Sequence, residues 1–356
     1  MSPKRIHSSL VLEDGSIYKG YAFGKTKSIA GEVVFNTGMV GYPESLTDPS
    51  YAGEILVLTY PLMGNYGVPR QGNGHDLDSP FESAKIQIQG LVVSDHAMQY
   101  SHWNAVRTLD DWLRESGIPG LYGIDTRMLT MQLREKGTML GKILASGEDI
   151  PFHDPNADNL VATVSVNAPV TYAGGSRKVV IVDCGCKTTI VRSVVERGAT
   201  VVRVPWNYDL ANEVFDGLII SNGPGDPKQC QETVAIVKQV IRRDKPILGI
   251  CLGNQILALA SGADTYKLKY GHRSQNQPCR EEGTLRCYIT SQNHGYAVRH
   301  ETLSDEWKPW FINANDGTNE GIRHRTRPLM SVQFHPEAAP GPYDTGHLFD
   351  QFLSLL

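Results

Sequence analysis

The chain has 356 residues, 40% of them hydrophobic and 20% charged, with a net charge of −4 at pH 7. That length and balance are expected of two ordinary soluble domains, and the charge gives no reason to expect a nucleic-acid or membrane-surface partner. No apolar run reaches the length of a membrane span, residues 1–5 lack the apolar core of a signal peptide, and six irregularly spaced cysteines suit a reducing, cytoplasmic setting.

In the first half, Val33-Val34-Phe35 and Ile55-Leu56-Val57-Leu58 read as strands with turn clusters between them. Apolar Trp103, Val106, Leu109, Trp112 and Leu113 recur at helical spacing and predict a helix over residues 103–116. Residues 126–136 predict another helix, with a basic end. No catalytic constellation is present here, so residues 1–152 read as a mixed α/β interaction or scaffold domain. Residues 153–176, polar and turn-rich and then glycine-rich at Gly174-Gly175, read as a linker.

From residue 177 to 356 the pattern alternates. Strands at Val179-Val180-Ile181-Val182, residues 200–204, Leu218-Ile219-Ile220 and Ile247-Leu248-Gly249-Ile250 are separated by helical stretches. This predicts an α/β domain with a doubly wound, mainly parallel sheet and helices on both faces, its functional loops gathered at the carboxyl ends of the strands. Cys184-Gly185-Cys186 has no second ligand pair and reads as a structural loop, and no metal site is expected.

Gly249-Ile250-Cys251-Leu252-Gly253 places a cysteine between a strand end and a helix start. A nucleophile there needs small neighbours because the turn is tight. The helix N-terminus behind it favours a thiolate and a developing oxyanion. A base is available at His335. Pro336 extends the backbone before it, so His335 and Glu337 point to the same side and the carboxylate can orient the imidazole. Together Cys251, His335 and Glu337 make the thiol–base–acid arrangement of acyl transfer. Asn222-Gly223-Pro224-Gly225-Asp226-Pro227 is a rigid loop at a strand end, suited to an oxyanion hole. Ser291-Gln292-Asn293-His294-Gly295-Tyr296 reads as a polar loop after a strand.

These four motifs, in this order from about Arg177 onward, resemble the class I, triad-type glutamine amidotransferases. The first half carries Gly31-Glu32-Val33-Val34-Phe35-Asn36-Thr37-Gly38-Met39, Leu46-Thr47-Asp48-Pro49-Ser50-Tyr51, Leu58-Thr59-Tyr60-Pro61-Leu62-Met63-Gly64-Asn65-Tyr66-Gly67 and Gly123-Ile124-Asp125-Thr126-Arg127. It resembles the amino-terminal domain of carbamoyl-phosphate synthetase small chains. The resemblance implies a glutaminase that forms a γ-glutamyl thioester on Cys251, with the N–H groups of Leu252 and Gly223 as oxyanion donors. It assigns glutamine binding to Ser50, Gly223, Gly225, Leu252, Gln255, Asn293, Gly295 and Tyr296, and gives Lys187 a structural or interface role. It implies no cofactor in this chain. ATP and a divalent cation are expected on a large synthetase subunit, the partner that would receive ammonia from L-glutamine.

Two positions depart from the family pattern. Asn254 stands where active members usually have His, and ammonia-dependent relatives that lost the cysteine often carry Asn there. Thr189 stands where Asn is common. The intact Cys251, His335 and Glu337 favour activity; the alternative is a catalytically weak or inactive structural or regulatory subunit. The chain stops directly after a terminal helix at residues 346–355, so a free-standing subunit or an excised domain is expected rather than the fused form.

Overall fold

The computed structural model describes residues 5–71, 77–145 and 149–356, which divide into two compact units, Met1–Pro155 and Asn156–Leu356. Residues 1–4, read above for a leader, lie outside the described residues. The first unit is built on a closed barrel, its strands in the order His7–Leu12, Met139–Leu144, Ile29–Asn36, Glu54–Leu58, Gly90–Val92, Pro119–Tyr122 and Ile17–Gly24. Closure removes the unpaired edges that an open sheet of this size would expose. The helix Leu109–Glu115 buries Leu109, Trp112 and Leu113 in one cluster with Val34, Leu56 and Leu91 of the barrel strands.

That helix is shorter than the spacing predicts. Thr108 accepts a hydrogen bond from the Asp111 N–H and Asp110 and Asp111 fill the first turn, which fixes the start at Leu109. Residues 105–107 instead pair with Val68–Pro69 as a short strand, and Trp103 is 89% exposed. The Trp103 and Val106 matches to the helical period were therefore fortuitous. The helix Thr126–Lys136 forms as expected, capped by Asp125, with Leu129 and Leu133 buried and Arg134 and Lys136 in its last turn.

The second unit is a mixed α/β structure around a ten-stranded sheet. Its order is Val170–Tyr172, Ala199–Pro205, Arg177–Asp183, Gly217–Ile220, Ile247–Ile250, Leu329–Val332, Asn319–His324, Trp307–Asn313, Asp264–Glu281 and Cys287–Arg299. The run from Ala199–Pro205 to Leu329–Val332 is parallel, and every pairing outside it is antiparallel. The mainly parallel expectation thus holds for the strands that end at the motifs, not for the whole sheet. Residues 286–290 read as a strand, but the rest of the antiparallel flank went unread because its strands carry buried polar residues rather than apolar alternation. Within it, residues 291–296 are not a loop but the middle of the Cys287–Arg299 strand, where His294 pairs with His272 and Asn293 with Arg273. Residues 153–176 hold short helical turns at Pro155–Ala157 and Val161–Val164 and the strand Val170–Tyr172, which pairs with Ala199–Pro205. The polar composition there concealed a strand stapled to the sheet edge.

The parallel run fixes where the functional loops emerge. Arg177–Asp183, Gly217–Ile220, Ile247–Ile250 and Leu329–Val332 are successive neighbours with Val182 paired to Ile220, Ile220 to Gly249 and Ile250 to Val332. Their carboxyl ends therefore lie side by side at the interstrand spacing of about 5 Å. The helix Leu252–Ala260 follows the third strand and crosses the second at Gly253, where an added Cβ would stand 2.0 Å from the Ile220 carbonyl oxygen. Gly253→Ala is expected to destabilise the second unit by about 1–3 kcal/mol through forced displacement of backbone. Chemical denaturation measures this, and an unchanged midpoint would show that the helix does not need to sit so close.

Candidate active site

Cys251 stands between the Ile247–Ile250 strand and the Leu252–Ala260 helix with φ 55° and ψ −105°. A non-glycine residue at positive φ is strained, by about 1–3 kcal/mol, and persists only where its surroundings over-determine it. Here they do. The Cys251 N–H donates to the Val332 carbonyl at 2.8 Å, and the Asn254 N–H donates back to the Cys251 carbonyl at 3.0 Å. A Cβ on Gly249 would stand 2.5 Å from the Gly253 carbonyl oxygen, so glycine is required on the strand side of the turn as well. The Sγ lies 3.6 Å from the Asn293 carbonyl oxygen.

His335 and Glu337 follow the neighbouring strand, as their sequence positions predict. His335 Nδ1 is 2.6 Å from Glu337 Oε1, and both side chains are buried. Lys187, on the loop after Arg177–Asp183, places its Nζ 3.0 Å from the same Glu337 oxygen. Burial opposes charge on His335, but the Glu337 carboxylate outweighs it and pushes the imidazole up to about 10, with Lys187 pulling the other way. Burial likewise opposes an ionised Glu337, yet Lys187 and His335 hold it down to about 2. The Glu337 carboxylate accepts the Nδ1–H of His335 and favours the charged form of the ring. Its Nε2 is buried without a hydrogen-bond partner among the described residues, while the neighbouring Cys251 adds to its basicity. Such a nitrogen is available to a thiol or to a leaving group.

The loop that carries Lys187 is itself tied down by a buried carboxylate. Asp183 accepts the Gly185 and Cys186 N–H groups at 2.9 and 2.6 Å and pairs with Arg203 at 2.8 Å. The Lys187 N–H in turn donates to Asn222 Oδ1 at 3.1 Å, joining this loop to the Asn222-Gly223 loop. Cys184 and Cys186 are buried thiols within it.

The residues assigned to glutamine binding fall into two groups. Leu252 opens the helix, so its N–H has no intrahelical acceptor. Gly223 lies on the loop after Gly217–Ile220, packed so closely that an added Cβ would stand 2.1 Å from the Cys184 carbonyl oxygen and 2.8 Å from Leu252 Cδ2. Gly225, at φ 82°, supplies the left-handed turn of that loop. Gln255 donates from Nε2 to the Tyr296 carbonyl at 2.8 Å, which brings the helix against the strand that carries Asn293, Gly295 and Tyr296. Ser50 belongs to the first unit, in the buried turn Pro49–Tyr51, where its N–H donates to Asp48 Oδ1 at 2.9 Å.

Residues 10–143 match the carbamoyl-phosphate synthase small chain CPSase domain, and residues 180–355 match glutamine amidotransferase class-I. The arginine-specific small chain of carbamoyl phosphate synthase from Saccharomyces cerevisiae is 50% identical over 368 residues, covering 99% of this chain and 89% of that one. The chain belongs to the carbamoyl-phosphate synthase small chain family. The corresponding Chaetomium globosum small chain is 50% identical, with 98% of this chain and 78% of that one covered. Multifunctional protein CAD of Squalus acanthias is 55% identical over 97% of this chain, and the chain spans only 16% of its length.

Lys187 is the member of this small-chain site that sequence reading left without a chemical role. Its signal was the Asp183-Cys184-Gly185-Cys186-Lys187 spacing at the end of a parallel strand. A second group also went unread. His272 sits between Asp316 Oδ2 at 2.8 Å and Glu320 Oε1 at 3.1 Å, and His294 Nε2 is 3.9 Å from Glu320 Oε2. The ligating atoms of His272, His294 and Glu320 all lie within 4.8 Å of one another. Burial disfavours charge on His272, but hydrogen bonds to Asp316 and Glu320 push it up to about 9, while burial pushes the Glu320 carboxyl up.

The charge chain gives opposed predictions. Glu337→Gln is expected to lower the titration midpoint of His335, and Lys187→Met to raise it, as followed by NMR of the imidazole; shifts of the same sign would sink the assignment. Glu337 is held below its ordinary 4.5, so its ion pairs contribute stability above that pH, and the contribution is lost as pH falls towards about 2. Glu337→Gln is therefore expected to flatten the acid side of the stability curve.

Proposed function

We propose that the chain is the glutaminase component of a glutamine-dependent carbamoyl-phosphate synthase. The observation that carries this reading is the buried line from Lys187 through Glu337 to His335 beside a thiol on a strained turn. In this mechanism His335 holds the proton that Cys251 gives up, and the Cys251 sulfur attacks the side-chain amide carbon of L-glutamine. His335 then delivers the proton to the departing nitrogen, because an amide leaves only once protonated. A γ-glutamyl thioester remains, and water hydrolyses it to glutamate. Glu337 keeps the imidazole oriented and stabilises its charged form throughout. The Leu252 and Gly223 N–H groups are the oxyanion donors, each worth on the order of 3 kcal/mol in the transition state.

Gly223, Gly225, Leu252, Gln255, Asn293, Gly295 and Tyr296 form the glutamine site in this reading, and Ser50 is assigned to glutamine by the family resemblance alone. A polar pocket of that kind discriminates against analogues that leave a buried group unpaired. Ammonia would pass to a large synthetase component that binds ATP and a divalent cation and activates bicarbonate. The names of the relatives support this division of labour, since some are separate small chains and others multifunctional proteins. The doubly wound layering of the parallel strands, with helices on both faces, belongs to the same proposal and is supported by their order. No helix among the described residues is long and apolar enough to cross a membrane; a cytoplasmic setting is proposed from the irregular cysteine spacing.

Glutamate release from glutamine tests this reading, measured for the chain alone and with a synthetase large chain, beside Cys251→Ala. Slow release is expected that rises on adding partner, ATP and bicarbonate, and that falls by about a thousandfold or more in the variant. Release no greater than that of Cys251→Ala under every condition would leave a structural or regulatory subunit.

A further inference from the structure

Asn254 is completely buried in the first turn of the helix behind the nucleophile. Its Oδ1 accepts from the Ser331 hydroxyl at 2.8 Å, and its Nδ2 donates to Gln333 Oε1 at 3.0 Å. The same Gln333 oxygen accepts from Gln255 Nε2 at 3.1 Å, and Gln255 Nε2 also donates to the Tyr296 carbonyl at 2.8 Å. Both amide hydrogens of Gln255 are thereby used, and what this side chain has left to offer is its carbonyl oxygen.

An amide that can rotate by half a turn offers either a donor or an acceptor, so its orientation has to be imposed. The Tyr296 carbonyl is backbone and cannot reverse its role, and it requires the nitrogen of Gln255. Gln333 must then turn its oxygen towards that nitrogen. An Asn254 that donates from Nδ2 and is held from behind by the Ser331 hydroxyl keeps the Gln333 oxygen there.

We propose that Asn254 is a positioning residue for glutamine, acting through Gln333 to hold Gln255 with its carbonyl oxygen presented to hydrogen-bond donors of the substrate. The proposal rests on the glutaminase reading above and on Gln255 as part of the glutamine site. It assigns Asn254 to a working site rather than a retired one, and it involves no group that titrates. The group presented by Gln255 therefore does not change its hydrogen-bonding character with pH, as a histidine in place of Asn254 would allow.

The test compares glutamine KM and kcat for the wild-type chain, Asn254→Asp, Asn254→Ala, Gln255→Ala and the Asn254→Ala/Gln255→Ala double variant. Ionised Asn254→Asp keeps the shape and the acceptor facing Ser331 but removes the donor to Gln333, and a protonated Asp would restore it, so KM is followed as a function of pH. Loss of that bond is expected to raise KM about five- to tenfold. In the Asn254 single variants, turnover at saturation and the rate of Cys251 alkylation by iodoacetamide should stay near wild type, because the elbow and the His335 pair are untouched. In the double variant KM should equal that of Gln255→Ala alone, since the two residues act in series. Unchanged KM in Asn254→Asp, or KM increments that multiply in the double variant, would overturn the proposal. A wild-type chain that releases no glutamate would defeat the glutaminase reading and this proposal with it, whereas an active wild type with unaltered variants defeats only this one.

Discussion

An ionised carboxylate sealed from water must be met by opposite charge, and Glu337 is such a group. Its neighbours are Lys187 on one side and His335 on the other. These come from loops after two strands separated in the sheet by Gly217–Ile220 and Ile247–Ile250. Pairing Glu337 therefore draws together the ends of the parallel run, and the two intervening strands end in the Gly223 loop and at Cys251. The cost of burying one charge and the convergence of the candidate site are the same constraint. Removing either partner would leave charge unbalanced in the interior, which is why the geometry is held so tightly.

The sequence disclosed the parts of this arrangement that obey short-range rules. Cys251 was legible through its flanking Gly249 and Gly253, because a Cβ at either would stand 2.5 or 2.0 Å from a backbone carbonyl oxygen. His335 and Glu337 were legible as a pair, but they meet through a turn in which the Ala338 N–H donates to the His335 carbonyl at 3.3 Å, not through the extended segment that Pro336 predicts. The barrel of the first unit was not legible, because closure depends on pairing His7–Leu12 with both Met139–Leu144 and Ile17–Gly24. No local pattern encodes a partner more than a hundred residues away. The buried stretch Gln292-Asn293-His294 failed for a different reason. Polar residues usually mark a loop, but here they are satisfied along the strand, with Gln292 reaching Thr290 at 3.0 Å and His294 the Tyr296 carbonyl at 2.8 Å, and across the hairpin, where Gln292 donates to Cys279 Sγ at 3.3 Å.

Lys187 shows how a long-range charge partner escapes a motif-based reading. A lysine at a strand end is most often solvated, and only the fold reveals that this one is 3% exposed. Asp183 explains how such a position is reached. By accepting two successive backbone N–H groups and the Arg203 guanidinium, it folds the Cys184-Gly185-Cys186 segment back so that Lys187 turns inward. The two thiols in that segment are fully buried. Thr189, at the start of the following helix, is itself buried behind this turn, so its difference from the family pattern falls at a position held by packing.

The strained turn at Cys251 and the polar network behind it are stabilised by the same neighbour. The Leu329–Val332 strand receives the Cys251 N–H at Val332 and supplies the Ser331 hydroxyl to Asn254 one residue earlier. Adjacent residues of a strand point to opposite faces, but a backbone carbonyl lies in the sheet plane, so one strand can brace the elbow through its main chain and the helix through a side chain. Gln333, the next residue, then fixes Gln255, and His335 follows two residues on. A single extended segment thus carries the brace for the nucleophile, the orientation of the pocket amide and the base. Shifting it by one residue would exchange the faces of Ser331, Gln333 and His335 together, and the register of Ile250 on Val332 is what prevents that.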